Sequence, residues 1–124
     1  TKSMIKQRFG RVILVGSVVG LLGSPGQVNY SSSKAALVGM ARSIAREIGG
    51  RGITANVIAP GFIDTDMTAE LDAEQQKQYL DRIPAGRFAA PSEVAKVVCW
   101  LASDEAAYIS GAVIPVDGGL GMGH

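Results

Sequence analysis

Short continuous apolar runs alternate with amphipathic stretches along this chain, and the alternation predicts strands separated by helices. Thr1 to Gly10 lacks an initiator Met and reads as the last turns of a helix closed by Gly10, the start expected of a fragment. Arg11-Val12-Ile13-Leu14-Val15-Gly16 is then a β-branched apolar run, suited to a strand covered on both faces of a parallel sheet. Ser17 stands at its carboxyl end. A Gly-, Ser- and Pro-containing loop from Val18 to Val28 leads into a helix from about Asn29 to Ile48. Ala35, Leu37, Val38, Ala41, Ala45 and Ile48 are its expected packing residues, and Gly49-Gly50 ends it.

A second strand is predicted over Ile53-Thr54-Ala55-Asn56-Val57-Ile58, with Pro60-Gly61 breaking the chain just beyond it. The intervening helix is the crossover that a parallel pair requires. Asp64, Thr65 and Asp66 offer caps for a short polar helix, and Asp72 to Gln75 for a second one ending near Arg82, in a region expected to be mobile. Pro91-Ser92-Glu93 opens another helix, with Val94, Val97, Val98 and Leu101 on one face. A last strand, Ala112 to Val116, precedes Asp117-Gly118-Gly119. This order, without internal repeat, indicates an α/β fold with a doubly wound, Rossmann-like parallel sheet. Ligands in such folds bind beyond the carboxyl ends of the strands.

Composition narrows the function classes. The chain has 124 residues, 47% of them hydrophobic, enough for one core. Twelve basic against eleven acidic residues leave a net charge of +1, which gives no broad attraction for a nucleic-acid backbone or an anionic membrane. Cys99 is the only cysteine, so no internal disulfide can form and a reducing compartment is expected. Within Val97 to Leu101, both Cys99 and Trp100 read as core. No run approaches the roughly 20 apolar residues that cross a bilayer, and no signal-like segment opens the chain, so a cytoplasmic location is expected. His124 is lone and terminal, and neither a catalytic nor a metal role is assigned to it.

Tyr30 and Lys34 lie four apart on the predicted helix and so share a face. A phenol ordinarily titrates near 10 and is a poor acid or base at neutrality, but an ammonium beside it favours the phenolate. Making a phenol titrate near neutrality takes roughly 4 kcal/mol of preferential stabilisation, which a partly desolvated lysine and a cationic cofactor ring can share. A strand-end serine such as Ser17 would donate a hydrogen bond to a substrate oxygen as hydride arrives and alkoxide character develops. With three tyrosines and five lysines present, the spacing alone describes no more than a solvated helix pair. Its weight comes from Ser17 at one strand end and the Pro60-Gly61 break at the next, which converge on one sheet edge.

Gly16-Ser17, the segment Asn29-Tyr30-Ser31-Ser32-Ser33-Lys34-Ala35-Ala36, the run Asn56 to Gly61 and the ending Val116-Asp117-Gly118-Gly119 together resemble the short-chain dehydrogenase/reductases across essentially the whole chain. Gly20, the runs Ala59 to Met67 and Ala102 to Ile109, and the Gly121 to His124 tail are similar to the 3-oxoacyl-[acyl-carrier-protein] reductases, especially the mycobacterial mycolic-acid type. The resemblance implies NADPH-dependent reduction of 3-oxoacyl thioesters to 3-hydroxyacyl thioesters in fatty-acid or mycolic-acid elongation. It implies that Tyr30 protonates the carbonyl oxygen and also contacts the cofactor, that Lys34 likewise holds the nicotinamide ribose, and that Ser17 orients the substrate. Pro60, Gly61, Ile63 and Thr65 would line the nicotinamide end of the cofactor, Ile63 through its backbone; on their own, Pro60-Gly61 are also simply a strand-ending turn. Arg8 and Arg51 match positions that meet an acidic acyl carrier protein, although two solvated arginines fit them equally. A homotetramer is implied as well, with the helices over 30–48 and 91–103 between subunits, and the stretch 65–87 would cover the substrate and order on binding.

On the same resemblance, residues 1–124 are the C-terminal portion of one domain whose dinucleotide-binding half lies upstream. The glycine-rich βα turn that cradles a pyrophosphate, the family's catalytic Asn and the residues that choose NADP over NAD would all belong to that half. Taken alone, the chain would leave an unpaired apolar strand edge and is expected to be inactive and poorly soluble. Two alternatives stay open: a dehydrogenase for another alcohol, polyol or steroid, and a non-catalytic remnant serving as an oligomerisation surface.

Overall fold

A computed structural model describes residues 1–122; Gly123 and His124, the end of the tail motif and the subject of the histidine reading, lie outside the described residues. Helix α1 (Lys2–Gln7) is ended by Arg8 at φ 54°, so Arg8 rather than Gly10 supplies the left-handed residue. Gly10 serves a different need, close approach: a Cβ there would sit 2.7 Å from the Met4 sulfur. It opens strand β1 (Gly10–Val15), which is followed by α2 (Val18–Leu22) and the long α3 (Val28–Ile48). A 3-10 turn (Gly49–Arg51) leads to β2 (Ile53–Pro60). After α4 (Asp66–Ala69), α5 (Ala73–Asp81) and α6 (Pro91–Ala102), a second 3-10 turn (Asp104–Ala106) precedes β3 (Val113–Val116).

The sheet is wholly parallel in the order β1-β2-β3. Gly10 to Val15 pair with Ile53 to Ile58, and Val57 to Pro60 with Val113 to Val116. Because side chains alternate across a strand, the sheet builds two cores. On one face Ala55 and Val57 of β2, with Val12 and Leu14 of β1, meet Leu37, Val38, Ala41 and Ile44 of α3. On the other, Ile58, Ile13, Ile114 and Val116 meet Val94, Val97, Val98 and Leu101 of α6. Helices on both faces of a parallel sheet make this the doubly wound α/β arrangement. Among the described residues, no helix is long and apolar enough to cross a membrane.

Several expectations need correction. The stretch after Ser17 is not all loop, since Val18–Leu22 form a helical turn capped by Ser17 and closed by Gly23; five residues are too few to show a helical period. β1 has the expected cover on both faces, Val12 and Leu14 on one and Ile13 on the other, and lies at the unpaired edge expected of the chain taken alone; only Val15 at its end, 51% exposed, escapes that cover. On α3 the inward stripe takes Ile44 and leaves Ala35 outside. On α6, Val94, Val97, Val98 and Leu101 turn inward, so Cys99 and Trp100 are exposed rather than core. An apolar run in a helix covers its whole circumference, and only one side of it faces the sheet.

Candidate active site

The inward stripe of α3 begins with a charged residue. Counting back from Ala41, Val38 and Leu37, the next position on that face is Lys34, half-buried at the helix's amino-terminal end. Its side chain therefore lies over the end of the sheet, where Nζ donates to the Val15 carbonyl at 3.1 Å. An ammonium has three donors, so two remain for a ligand. Tyr30, one turn earlier, is 46% exposed, and the Lys34 Nζ stands 5.7 Å from its ring centroid. The sequence-predicted pair thus sits on one face and beside the last residue of β1.

Ser17 approaches the same place from the strand. The Gly16 amide donates to the Ile58 carbonyl at 2.7 Å, which holds the chain against β2 one residue past the end of β1. Ser17 is extended, at φ −162° and ψ 149°, and its Oγ accepts from the Val19 amide at 3.2 Å as the cap of α2. A hydroxyl that accepts in this way still has its proton to donate.

The third group leaves β2. Pro60 ends the strand, and the Gly61 amide donates to the Val116 carbonyl at 3.0 Å. A Cβ on Gly61 would lie 2.8 Å from both Cα and Cβ of Asp117, so this position requires the absence of a side chain. Ile63 forms a parallel bridge with Ala89, made by the Asp64 amide (2.7 Å to the Ala89 carbonyl) and the Phe62 carbonyl (3.2 Å from the Ala89 amide). In such a bridge the peptide groups of the central residue point the other way, so the Ile63 backbone is directed away from Ala89. Thr65 starts α4, and its amide donates to the Thr68 Oγ1 at 2.9 Å. Asp72 and Gln75 cap α5 reciprocally, at 2.8 and 3.2 Å, as their spacing predicts.

One supporting pair was not legible in sequence. Arg87 grips Glu93 with two bonds of 2.7 and 2.8 Å, and Glu93 also accepts from the Ala90 amide at 2.8 Å. The pair fixes the segment that carries Ala89, hence the bridge to Ile63, and borders a cavity of about 300 Å³ shared with Phe62 and Asp117. Glu93 three residues after Ala90 is a helix-start signal; nothing local pointed to Arg87. The hydrogen bonds from Arg87, then that from Ala90, hold the Glu93 carboxyl at about 2, below its ordinary 4.5. A depressed folded-state pKa contributes stability above the unfolded value that is lost as pH falls through the folded one. Acid titration followed by circular dichroism should therefore show a loss between pH 4.5 and 2 that is shallower in Glu93→Gln. The pair is exposed, so the difference is small.

Arg8 and Arg51 also come together, but elsewhere. The Arg8 guanidinium reaches the Gly50 carbonyl at 3.5 Å, beside Arg51 in the turn before β2. Both are exposed at the amino ends of the strands, about 20 Å from Ser17 at the rise of a six-residue strand.

The chain belongs to the short-chain dehydrogenase/reductase family: residues 1–121 match the family model described as Enoyl-(Acyl carrier protein) reductase. Among curated relatives, the 3-oxoacyl-[acyl-carrier-protein] reductase of Mycobacterium tuberculosis is 59% identical over 124 residues, 100% of this chain and 50% of the relative. The enzymes of the same name from Mycobacterium avium and Escherichia coli are 57% and 52% identical, over 99% and 98% of this chain and 48% and 50% of their own. The chain spans about half the length of the curated relatives it matches.

Proposed function

We propose that this chain is the C-terminal, catalytic portion of a reductase acting on 3-oxoacyl thioesters. The observation that carries the reading is the 3.1 Å bond from Lys34 to the Val15 carbonyl, which seats the Tyr30–Lys34 helix on the strand end occupied by Ser17. A bound nicotinamide cofactor, with NADPH as the proposed form, supplies the hydride. The Ser17 hydroxyl donates to the 3-oxo oxygen and Tyr30 Oη delivers its proton there, so that the ketone becomes an alcohol and the phenolate regains a proton from solvent. Lys34 has two donors left for the ribose hydroxyls. The outward Ile63 peptide fits the nicotinamide end, with Pro60, Gly61 and Thr65 flanking it. Nothing described here cradles a pyrophosphate; in this reading that loop belongs to the upstream half.

Arg8 and Arg51 are proposed to meet the acyl carrier protein, and the complete enzyme to assemble as a homotetramer. The description of the matching family favours one competing reading, reduction of an enoyl double bond. Assaying the complete enzyme with NADPH separates the two. Oxidation of cofactor with acetoacetyl thioester but not with crotonyl thioester is expected, and the reverse preference would overturn the proposal.

A further inference from the structure

We propose that Gly20 is a positioning residue for this reaction, because its missing side chain sets how deeply the Ser17-capped turn seats on the helix bearing Tyr30 and Lys34. The inference rests on the roles given above to those three residues. A Cβ on Gly20 would stand 2.7 Å from the Lys34 Cβ and 3.0 Å from both the Lys34 carbonyl carbon and the Ala35 amide nitrogen. Carbon atoms in contact prefer about 3.5–4.0 Å. The opposing atoms are main chain and the root of a side chain, so no rotamer change relieves the overlap.

Conformation does not explain this glycine. Gly23 and Gly26, at φ 76° and 75°, have nothing within 4 Å of a built Cβ and are turn glycines, whereas Gly20 lies inside α2. A glycine inside a helix weakens it relative to alanine, a cost that close approach accounts for. The turn transmits position to the serine. The Gly20 amide donates to the Ser17 carbonyl at 3.0 Å, the Val19 amide to the Ser17 Oγ at 3.2 Å, and Val18 is buried. On the far side, Lys34 is tied to Val15. Ser17, Gly20, Lys34 and Val15 thus form a closed loop of contacts, and thickening it at Gly20 displaces Ser17 from the helix.

A shift near 1 Å in a reacting geometry costs about 10²-fold in rate. In the complete enzyme, Gly20→Ala is therefore expected to lower kcat by about 10- to 100-fold with an unchanged KM for NADPH. The decisive measurement is a double-mutant cycle with Ser17→Ala. If Gly20 acts through Ser17, adding Gly20→Ala to the serine variant changes kcat by less than about twofold. An equal loss in both backgrounds would mean a general structural role and overturn the inference, as would wild-type kcat in folded Gly20→Ala. Should Gly20→Ala not fold, Val18→Ala loosens the same turn without adding an atom. It is expected to lower kcat in the parent and to be silent beside Ser17→Ala; unchanged kcat in the parent overturns the inference. Wild-type turnover in Ser17→Ala alone would instead overturn the assignment of the site, and the inference with it.

Discussion

Tyr30→Phe in the complete enzyme is expected to lower kcat by about 10²- to 10⁴-fold, the range for losing a positioned acid or base, with little change in thermal midpoint. The substitution removes a single oxygen from a ring that is 46% exposed. Among the described residues that oxygen makes no hydrogen bond, so its loss leaves no buried group unsatisfied. On the proposed mechanism, what disappears is the proton for the 3-oxo oxygen. Lys34 and Ser17 keep their bonds to Val15 and Val19, and cofactor affinity should stay near that of the parent. Steady-state assay alongside a melting curve checks both halves, and retained turnover would remove Tyr30 from the mechanism.

The second large effect is on stability. Asn56 is 1% exposed in the middle of β2, and its amide spans the segment leading into β3. Nδ2 donates to the Ile109 carbonyl at 2.8 Å, and Oδ1 accepts from the Ala112 amide at 3.0 Å. The main chain on either side makes parallel use of the same partner, since the Gly111 amide reaches the Ala55 carbonyl and the Val57 amide the Ala112 carbonyl. Asn56→Leu keeps the volume but strands one half-buried acceptor and one half-buried donor, at about 1–3 kcal/mol each. A total of about 2–6 kcal/mol is large against the 5–15 kcal/mol that holds a domain. The variant should melt well below the parent or be recovered as aggregate, and an unchanged melting curve would refute the clamp. Asn56→Asp should not rescue it, because a carboxylate has no donor for Ile109 and brings a charge into the core.

The elements that sequence revealed are those with enough length or a sharp enough boundary. α3 runs for 21 residues and β2 for eight, and the Asp72 cap and Pro91 start coincide with their signals. α2 was illegible because five residues do not complete two turns. The exposure of Cys99 and Trp100 depends on which side of α6 meets the sheet, a tertiary fact that an apolar run does not carry. At the site, the four-residue spacing brings Tyr30 and Lys34 to one face, as expected. The spacing did not say that Lys34 holds a place in the core stripe, which is what aims it at Val15. Arg87 lies in the irregular chain before α6 and reaches Glu93 in that helix's first turn, so no single period links the two.

The strand ends at this site are latched in series: Gly16 donates to Ile58 of β2, and Gly61 donates to Val116 of β3. Opening therefore has a direction. β3 pairs through four residues and β1 through six, so the β3 latch is the weaker of the two. A fluctuation that peels β3 away bares the Gly61 amide to solvent exchange while the Gly16 amide stays protected. The end of the site proposed to take the nicotinamide can thus loosen as a subglobal unit while the edge that presents Ser17 stays closed.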